Sequence, residues 1–208
     1  KENYVYIESY ETNLILILKR LLKLSEISNE GQASLNSDYI KKHEIQFQDE
    51  NKKIAIEKAF ILSRIMLIYG AAGTGKTTLM NYISNMFSQE KKLFLTKTYA
   101  ALNNLKRRID SPGQAAAFEC IDSFIKQANP VEYSVIFVDE CSTIDNRSMN
   151  QLLEKIDDNT LLIMAGDIYQ IESIDFGNWF YYAKEIVNRD GANIELLSTW
   201  RTEDQGLK

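Results

Sequence analysis

The chain has 208 residues, of which 45% are apolar and 11% aromatic, enough to fill the core of one large globular domain. Its 24 basic and 29 acidic side chains leave a net charge of −5, so bulk charge gives no argument for a nucleic-acid or membrane partner, and such a partner would need a local patch. Two cysteines and one histidine exclude a four-ligand zinc site. The two thiols, Cys120 and Cys141, favour reduced cysteines in a cytoplasmic protein.

The N-terminal region predicts an amphipathic helix followed by a polar linker. Leu14, Ile17, Leu18 and Leu21 recur at helical spacing, and basic residues interrupt the other face. The all-apolar stretch there is far shorter than the roughly 20 residues of a membrane span, so no membrane partner is expected. We therefore divide the chain into a helical segment with its linker, residues 1–45, and a domain, residues 46–208.

Short apolar runs and helical patterns alternate through that domain. The runs occupy residues 65–69, 92–96, 134–140 and 161–167, and amphipathic segments separate them. Continuous apolar strands that alternate with helices are typical of a parallel sheet covered on both faces. The sequence thus predicts an α/β fold.

The segment after the first run fits the phosphate-loop pattern G-x-x-x-x-G-K-[ST], between a predicted strand and a predicted helix. Such a loop binds a polyphosphate with inward-pointing backbone N–H groups at a helix N-terminus. Lys76 is expected to reach the terminal phosphates, and the Thr77 hydroxyl to bind Mg²⁺. The predicted nucleotide ligands are Gly70, Ala71, Ala72, Gly73, Thr74, Gly75, Lys76, Thr77 and Thr78.

Polar side chains end the two later runs. Asp139 and Glu140 follow the apolar run in VIFVDE, where Asp139 would hold the metal and Glu140 would orient and deprotonate the attacking water. Gln170 lies in AGDIYQ, and its carboxamide can contact both a γ-phosphate oxygen and that water. These residues predict hydrolysis of a nucleoside triphosphate with Mg²⁺.

Five segments of the chain resemble, in order, motifs I, Ia, II, III and IV of superfamily 1 helicases. They are GAAGTGKTT, LFLTKTYAALNNLKRRI, VIFVDECS, MAGDIYQIESIDFG and LLSTWRTED. The resemblance is greatest to the RecD-like branch and covers Phe47 to Leu207. It implies a RecA-like P-loop motor domain that hydrolyses ATP with Mg²⁺ to move along single-stranded nucleic acid, with DNA favoured over RNA.

The resemblance also implies roles for individual residues. Arg201 matches the motif IV arginine that stabilises transition-state charge, and Gln170 matches the γ-phosphate sensor. Gln48 and Asn51 lie near the place of the glutamine that recognises adenine. The residues expected to contact the nucleic-acid strand are Thr98 for a phosphate, Tyr99 for stacking on a base, and Arg107 and Arg108 with Lys97 and Lys106 for positive charge.

Other functions remain open on the sequence alone. The sequence shows no segment matching a second RecA-like domain, so we expect that domain elsewhere in a longer chain, as a partner of this one. The main alternative is a P-loop ATPase switch or nucleic-acid-binding regulator that hydrolyses nucleotide without translocation. An RNA helicase is a further alternative, whereas a small-molecule kinase is disfavoured because no substrate-lid motif accompanies the loop.

Overall fold

The computed structural model describes residues 8–28, 57–58, 60–110, 116–128, 132–169, 177–187 and 192–196. Six α-helices with assigned bounds lie within these ranges: α1 (Glu8–Ser25), α2 (Lys76–Met86), α3 (Tyr99–Arg108), α4 (Ile121–Phe124), α5 (Asn146–Leu153) and α6 (Trp179–Ile186). Six strands accompany them: β1 (Ile65–Gly70), β2 (Lys92–Thr96), β3 (Ala116–Cys120), β4 (Val135–Val138), β5 (Leu161–Gly166) and β6 (Asn193–Leu196). A short 3₁₀ helix spans Cys141–Thr143.

The strands form one parallel sheet in the order β3-β2-β4-β5-β1-β6. Ile65 lies opposite Leu162 and Val138 lies opposite Met164, so β5 lies between β1 and β4. Because all strands run in the same direction, the segments after β1, β2, β4 and β5 emerge at one edge of the sheet. This edge, which we call the carboxyl edge, carries the predicted phosphate loop and the predicted carboxylates.

Helices cover both faces of the sheet, as predicted. Ile65, Leu67 and Tyr69 of β1 belong to one core cluster together with apolar residues of α1, α5 and α6. Met66 and Ile68 belong to the other, together with residues of α2 and α3. All six residues of β1 are buried, which explains why the strand reads as a continuous apolar run. The prediction of an α/β fold is confirmed.

Helix α1 packs directly onto the sheet domain. Ile17, Leu21 and Leu24 are fully buried in the core cluster shared with α5 and α6. Arg20 forms an ion pair with Asp158 and also donates a hydrogen bond to the carbonyl oxygen of Ile156. The apolar stripe read from the sequence is therefore the face that α1 buries. The division of the chain at residue 45 lies outside the described residues and stays a prediction.

Candidate functional site

The loop between β1 and α2 has the backbone that a phosphate loop requires. Gly73 and Gly75 have φ angles of 82° and 90°, in the left-handed region that side chains with a Cβ rarely adopt. At Gly70 a Cβ would lie 2.4 Å from Oγ1 of Thr74 and 2.9 Å from the carbonyl oxygen of Leu196. Thr74 is buried, and its hydroxyl donates to the carbonyl oxygen of Ala71 at 3.0 Å. These contacts define the loop's shape.

Lys76 begins α2 with its ammonium folded over the loop. Its Nζ donates hydrogen bonds to the carbonyl oxygens of Gly70 at 2.6 Å and Ala71 at 2.9 Å. Burial lowers the pKa of Lys76 below its usual range, and the carboxylates of Asp167 and Asp139 oppose that shift. The ammonium therefore lies close enough to these carboxylates to be stabilised by their charge.

Asp139 and Glu140 follow β4 at the same edge. Burial raises the pKa of Asp139. Two weaker effects act to lower it: the hydrogen bond of 2.9 Å that its Oδ1 accepts from the backbone N–H of Glu140, and the positive charges of Lys76 and Arg108. Burial, followed by repulsion from Asp139, raises the pKa of Glu140. A carboxylate with a raised pKa is a better general base than a free one.

The backbone at Glu140 is strained. Its φ angle of 56° lies in the left-handed region, which costs a non-glycine residue roughly 1–3 kcal/mol. Thr143 stabilises this turn, since its backbone N–H and its hydroxyl both donate to the carbonyl oxygen of Glu140. The strained residue is thus the one that the sequence predicted as the catalytic base.

One cavity of about 660 Å³ joins these groups. Lys76, Thr77, Thr78, Asp139 and Glu140 all line it, as the sequence predicted for one site. Gly70, Ala71 and Thr74 do not line the cavity and instead shape the loop beneath it. The remaining lining residues are Ala72, Gly73, Gly75, Arg107, Arg108, Asp110, Ser142, Gly166 and Asp167.

The donor set fits Mg²⁺. The Thr77 hydroxyl and the Asp139 carboxylate line the same cavity and offer the oxygen ligands that this hard cation prefers. The described part of the chain contains no group of three or more His, Cys, Asp or Glu side chains arranged to hold a metal. Mg²⁺ usually takes one or two protein oxygens together with phosphate and water, so two protein donors suffice.

Several residues at the cavity were not singled out from the sequence. Asp167 follows β5, is buried, and accepts a hydrogen bond of 3.0 Å from the backbone N–H of Tyr169. The signal was available, because Asp167 ends an apolar run just as Asp139 does. The hydroxyl of Ser142 is buried without a hydrogen-bond partner in the described structure. Asp110 lines the cavity from beyond α3.

The residues predicted to contact a nucleic-acid strand lie in two places. Thr98 is exposed at the carboxyl edge, where its Oγ1 accepts a hydrogen bond of 3.2 Å from the backbone N–H of Ala101 and caps α3. Tyr99 beside it is 70% exposed. Arg107 and Arg108, at the other end of α3, line the cavity that Lys76 and Asp139 also line.

The two lysines predicted to add positive charge have protein partners. Lys97 donates hydrogen bonds to Asp122 at 3.0 Å, Asp145 at 3.2 Å and Ser148 at 3.0 Å. Lys106 lies over the ring of Phe118, 5.7 Å from its centroid. Two carboxylates thus hold Lys97 in this structure, and its contribution to binding a nucleic-acid strand stays a prediction.

Four predicted residues lie outside the described part of the chain. They are the proposed adenine ligands Gln48 and Asn51, the proposed γ-phosphate sensor Gln170, and the motif IV arginine, Arg201.

Comparison with known proteins places the chain in a family. A family described as AAA domain matches residues 49–208, which is most of the chain. The chain belongs to the AAA domain family. This membership confirms the prediction of a P-loop nucleoside triphosphatase. No helix within the described ranges is long and apolar enough to span a membrane.

Two relatives are similar to this AAA domain, and one of them is a RecD subunit. The RecBCD enzyme subunit RecD of Buchnera aphidicola subsp. Acyrthosiphon pisum is 25% identical over 218 aligned positions, which cover 89% of this chain and 35% of RecD. An uncharacterized protein of Methanocaldococcus jannaschii is 26% identical over 180 positions, which cover 67% of this chain and 15% of the relative. The chain thus spans about a third or less of the length of these relatives. The resemblance to the RecD-like branch is confirmed.

Solved structures similar to this AAA domain include two coordinating Pif1 helicases at forked double-stranded DNA, with a TM-score of 0.48 and 15% identity, covering 75% of this chain and 45% of that chain. Another is a Bacteroides Pif1 bound to single-stranded DNA, with a TM-score of 0.45 and 17% identity, covering 75% and 43% of the two chains.

Proposed function

We propose that the chain is the first motor domain of an ATP-dependent helicase or translocase that moves along single-stranded DNA. The observation that supports this most directly is the single cavity lined by Lys76, Thr77, Asp139 and Glu140 at the carboxyl edge. Thr98 and Tyr99 follow β2 at that same edge, so a strand held there would lie beside the nucleotide site. We also place the protein in the cytoplasm, which two cysteines without a disulfide support.

Binding begins with the phosphates of ATP. Backbone N–H groups of the loop and the N-terminus of α2 donate to phosphate oxygens, and the helix dipole favours their negative charge. Lys76 exchanges its hydrogen bonds with the carbonyl oxygens of Gly70 and Ala71 for contacts with the terminal phosphates. Thr77 and Asp139 would hold Mg²⁺, which neutralises charge on the phosphate oxygens when bound.

Glu140 acts on the attacking water in this proposal. Its carboxylate accepts a proton from the water as the water oxygen forms a bond to the γ-phosphorus. The bond from that phosphorus to the β–γ bridging oxygen breaks, and its electron pair stays on ADP. The raised pKa of Glu140 favours its role as the proton acceptor. Gln170 would position the water, and Arg201 would stabilise the transferring phosphoryl group.

The strand contact completes the proposed function. Among the described residues, the Thr98 hydroxyl accepts one hydrogen bond and donates none, so it can donate to a strand phosphate. The exposed ring of Tyr99 offers a stacking surface for a base. Gln48 or Asn51 would recognise adenine. Closure against a second RecA-like domain, elsewhere in a longer protein, would convert hydrolysis into movement.

Two titrations test the proposal on this chain. A fluorescent ATP analogue is titrated with and without Mg²⁺, and a labelled single-stranded DNA is titrated with and without the nucleotide. We expect magnesium-dependent nucleotide binding and DNA affinity that changes with nucleotide, with RNA of the same sequence bound less tightly. Nucleotide binding without any strand binding would favour the ATPase switch instead. A chain that binds no nucleotide would overturn the proposal.

A further inference from the structure

Two arginines face the nucleotide cavity from the end of α3. Arg107 and Arg108 are the last residues of that helix, and both line the cavity that Lys76, Asp139 and Glu140 also line. Their place in the sequence, in a basic helix after motif Ia, predicted contact with a nucleic-acid strand. In the structure they line the cavity in which we propose that the phosphates of ATP bind.

The packing of α3 explains how residues at its far end reach the carboxyl edge. Helical side chains lean toward the N-terminus of their helix, which is consistent with Arg107 and Arg108 lining the cavity although they are the last residues of α3. Leu105 is buried in the core cluster that also contains α2, so the two helices lie on the same face of the sheet. The backbone N–H of Asp110 donates to Oδ1 of Asn81 in α2 at 3.0 Å. This bond ties the end of α3 to the helix that starts at the phosphate loop.

Within the described structure neither guanidinium has a hydrogen-bonded partner. Arg107 and Arg108 are exposed, and neither forms an ion pair, a hydrogen bond or a ring contact with a described residue, although the charge of Arg108 acts on Asp139. The other two cations of this segment do have partners, since Lys97 binds Asp122 and Asp145 and Lys106 lies over an aromatic ring. The two arginines are therefore available to an anion that enters the cavity.

The charges around the cavity favour a phosphate-binding role for these cations. Its described lining holds four acids, Asp110, Asp139, Glu140 and Asp167, and three bases, Lys76, Arg107 and Arg108. Without the arginines, Lys76 and Mg²⁺ alone would have to balance four acids and a highly charged triphosphate. A guanidinium matches phosphate geometry with paired hydrogen bonds, which an ammonium does not.

We propose that Arg108, assisted by Arg107, binds the phosphates of the nucleotide at the end of the cavity where Asp139 and Glu140 lie. This inference rests on the proposed function and adds a phosphate ligand supplied by this domain itself. The same helix begins at Tyr99, with Thr98 as its N-cap, about 14 Å away at 1.5 Å per residue. One helix thus carries the proposed strand contact at its start and the proposed phosphate contact at its end.

The test compares three variants of the chain with Lys106→Ala as the control. Lys106 has the same charge and lies on the same helix, but it does not line the cavity. Affinity for a fluorescent ATP analogue with Mg²⁺ is measured for Arg108→Ala, for the double variant Arg107→Ala/Arg108→Ala and for Arg108→Lys. We expect about a tenfold loss for Arg108→Ala, a larger loss for the double variant, and partial recovery with lysine. Lys106→Ala should bind nucleotide as the unsubstituted chain does.

Single-stranded DNA affinity, measured without nucleotide, separates the two possible roles. The proposal is overturned if the double variant binds nucleotide normally. If the double variant binds nucleotide normally but loses affinity for DNA, the two arginines contact the DNA strand instead. In that case Lys76→Ala should still abolish nucleotide binding, and the proposed function would stand. If neither Lys76→Ala nor Arg108→Ala alters nucleotide binding, both this proposal and the proposed function are overturned.

Discussion

The Nζ of Lys76 donates a hydrogen bond to the carbonyl oxygen of Gly70 at 2.6 Å, so the cation of the loop lies folded back on the loop's first residue. Burial lowers its pKa while three carboxylates oppose that shift. The ammonium is thus held by groups that a phosphate can replace.

Lys76→Ala should therefore nearly abolish nucleotide binding while the loop backbone stays folded. The variant removes the cation nearest the loop, and the carboxylates of Asp139 and Asp167 then face the phosphates with less compensation. Titration of a fluorescent ATP analogue measures the loss. Lys91→Ala, an exposed lysine outside the cavity, is the control and should bind normally. Unchanged binding by Lys76→Ala would contradict the assignment of the loop.

Glu140→Gln should separate binding from hydrolysis. Glutamine keeps the size of the side chain but cannot accept the proton of water, and loss of a general base lowers the rate by roughly 10²–10⁴. Nucleotide affinity should stay within about threefold, because the phosphates are held by the loop and Lys76. Phosphate release in single-turnover experiments gives the rate. Glu90→Gln, at an exposed position outside the cavity, controls for a change of net charge, and equal rates in the two variants would assign the base elsewhere.

Local patterns were sufficient to predict part of this site. The strand, glycine loop and helix around Lys76 follow one another in sequence, and Asp139 and Glu140 end an apolar run that the sheet buries. The partners of Lys97 were out of reach, because Asp122 and Asp145 lie 25 and 48 residues away along the chain. The place of Arg107 and Arg108 in the lining of the cavity likewise depends on how α3 packs against α2. Neither arrangement leaves a periodic or local signal.

Helix α1 should contribute to the stability of the sheet domain rather than form a separate unit. Leu21 is fully buried in the core, so Leu21→Ala should lower the free energy of unfolding by about 2–5 kcal/mol. Leu22 is the matched control, since it is next in sequence but 40% exposed, and its alanine variant should change stability by less than about 0.5 kcal/mol. Urea unfolding followed by circular dichroism compares them. Equal effects would show that α1 docks only weakly.

Asp145 should make stability depend on pH. Although burial acts to raise its pKa, hydrogen bonds from the backbone N–H and hydroxyl of Ser148 and from Lys97 lower it below the usual 3.8. A group with a lowered folded pKa contributes stability above its unfolded pKa and loses that contribution as pH falls through the folded pKa. Asp145→Asn should therefore cost about 1–2 kcal/mol near neutral pH, because asparagine keeps the helix cap but not the charge.

Urea unfolding of the unsubstituted chain and of Asp145→Asn, from about pH 7 to about pH 3, measures the difference in their free energies of unfolding. The two stabilities should converge as the pH falls below about 4, since the carboxylate of Asp145 is then progressively neutralised in both states. A difference that persists unchanged into acid would show that the Asp145→Asn substitution disturbs packing rather than charge.

Tyr99 should bind single-stranded DNA through its ring rather than through charge. Its side chain is exposed beside Thr98, so Tyr99→Ala should weaken binding by about 1–3 kcal/mol, the value of one lost base stack. Each phosphate neutralised in a single-strand complex contributes about −0.7 to the slope of log affinity against log salt, and a tyrosine neutralises none. The slope should therefore stay unchanged while affinity falls.

Anisotropy titrations of a labelled oligonucleotide at several salt concentrations measure both quantities. Tyr182→Ala is the control, because Tyr182 is an exposed tyrosine on α6, which packs on the opposite face of the sheet from α3. If Tyr99→Ala loses no more affinity than Tyr182→Ala, the DNA strand does not stack on Tyr99. A changed slope of log affinity against log salt would mean that Tyr99→Ala has displaced a charged contact.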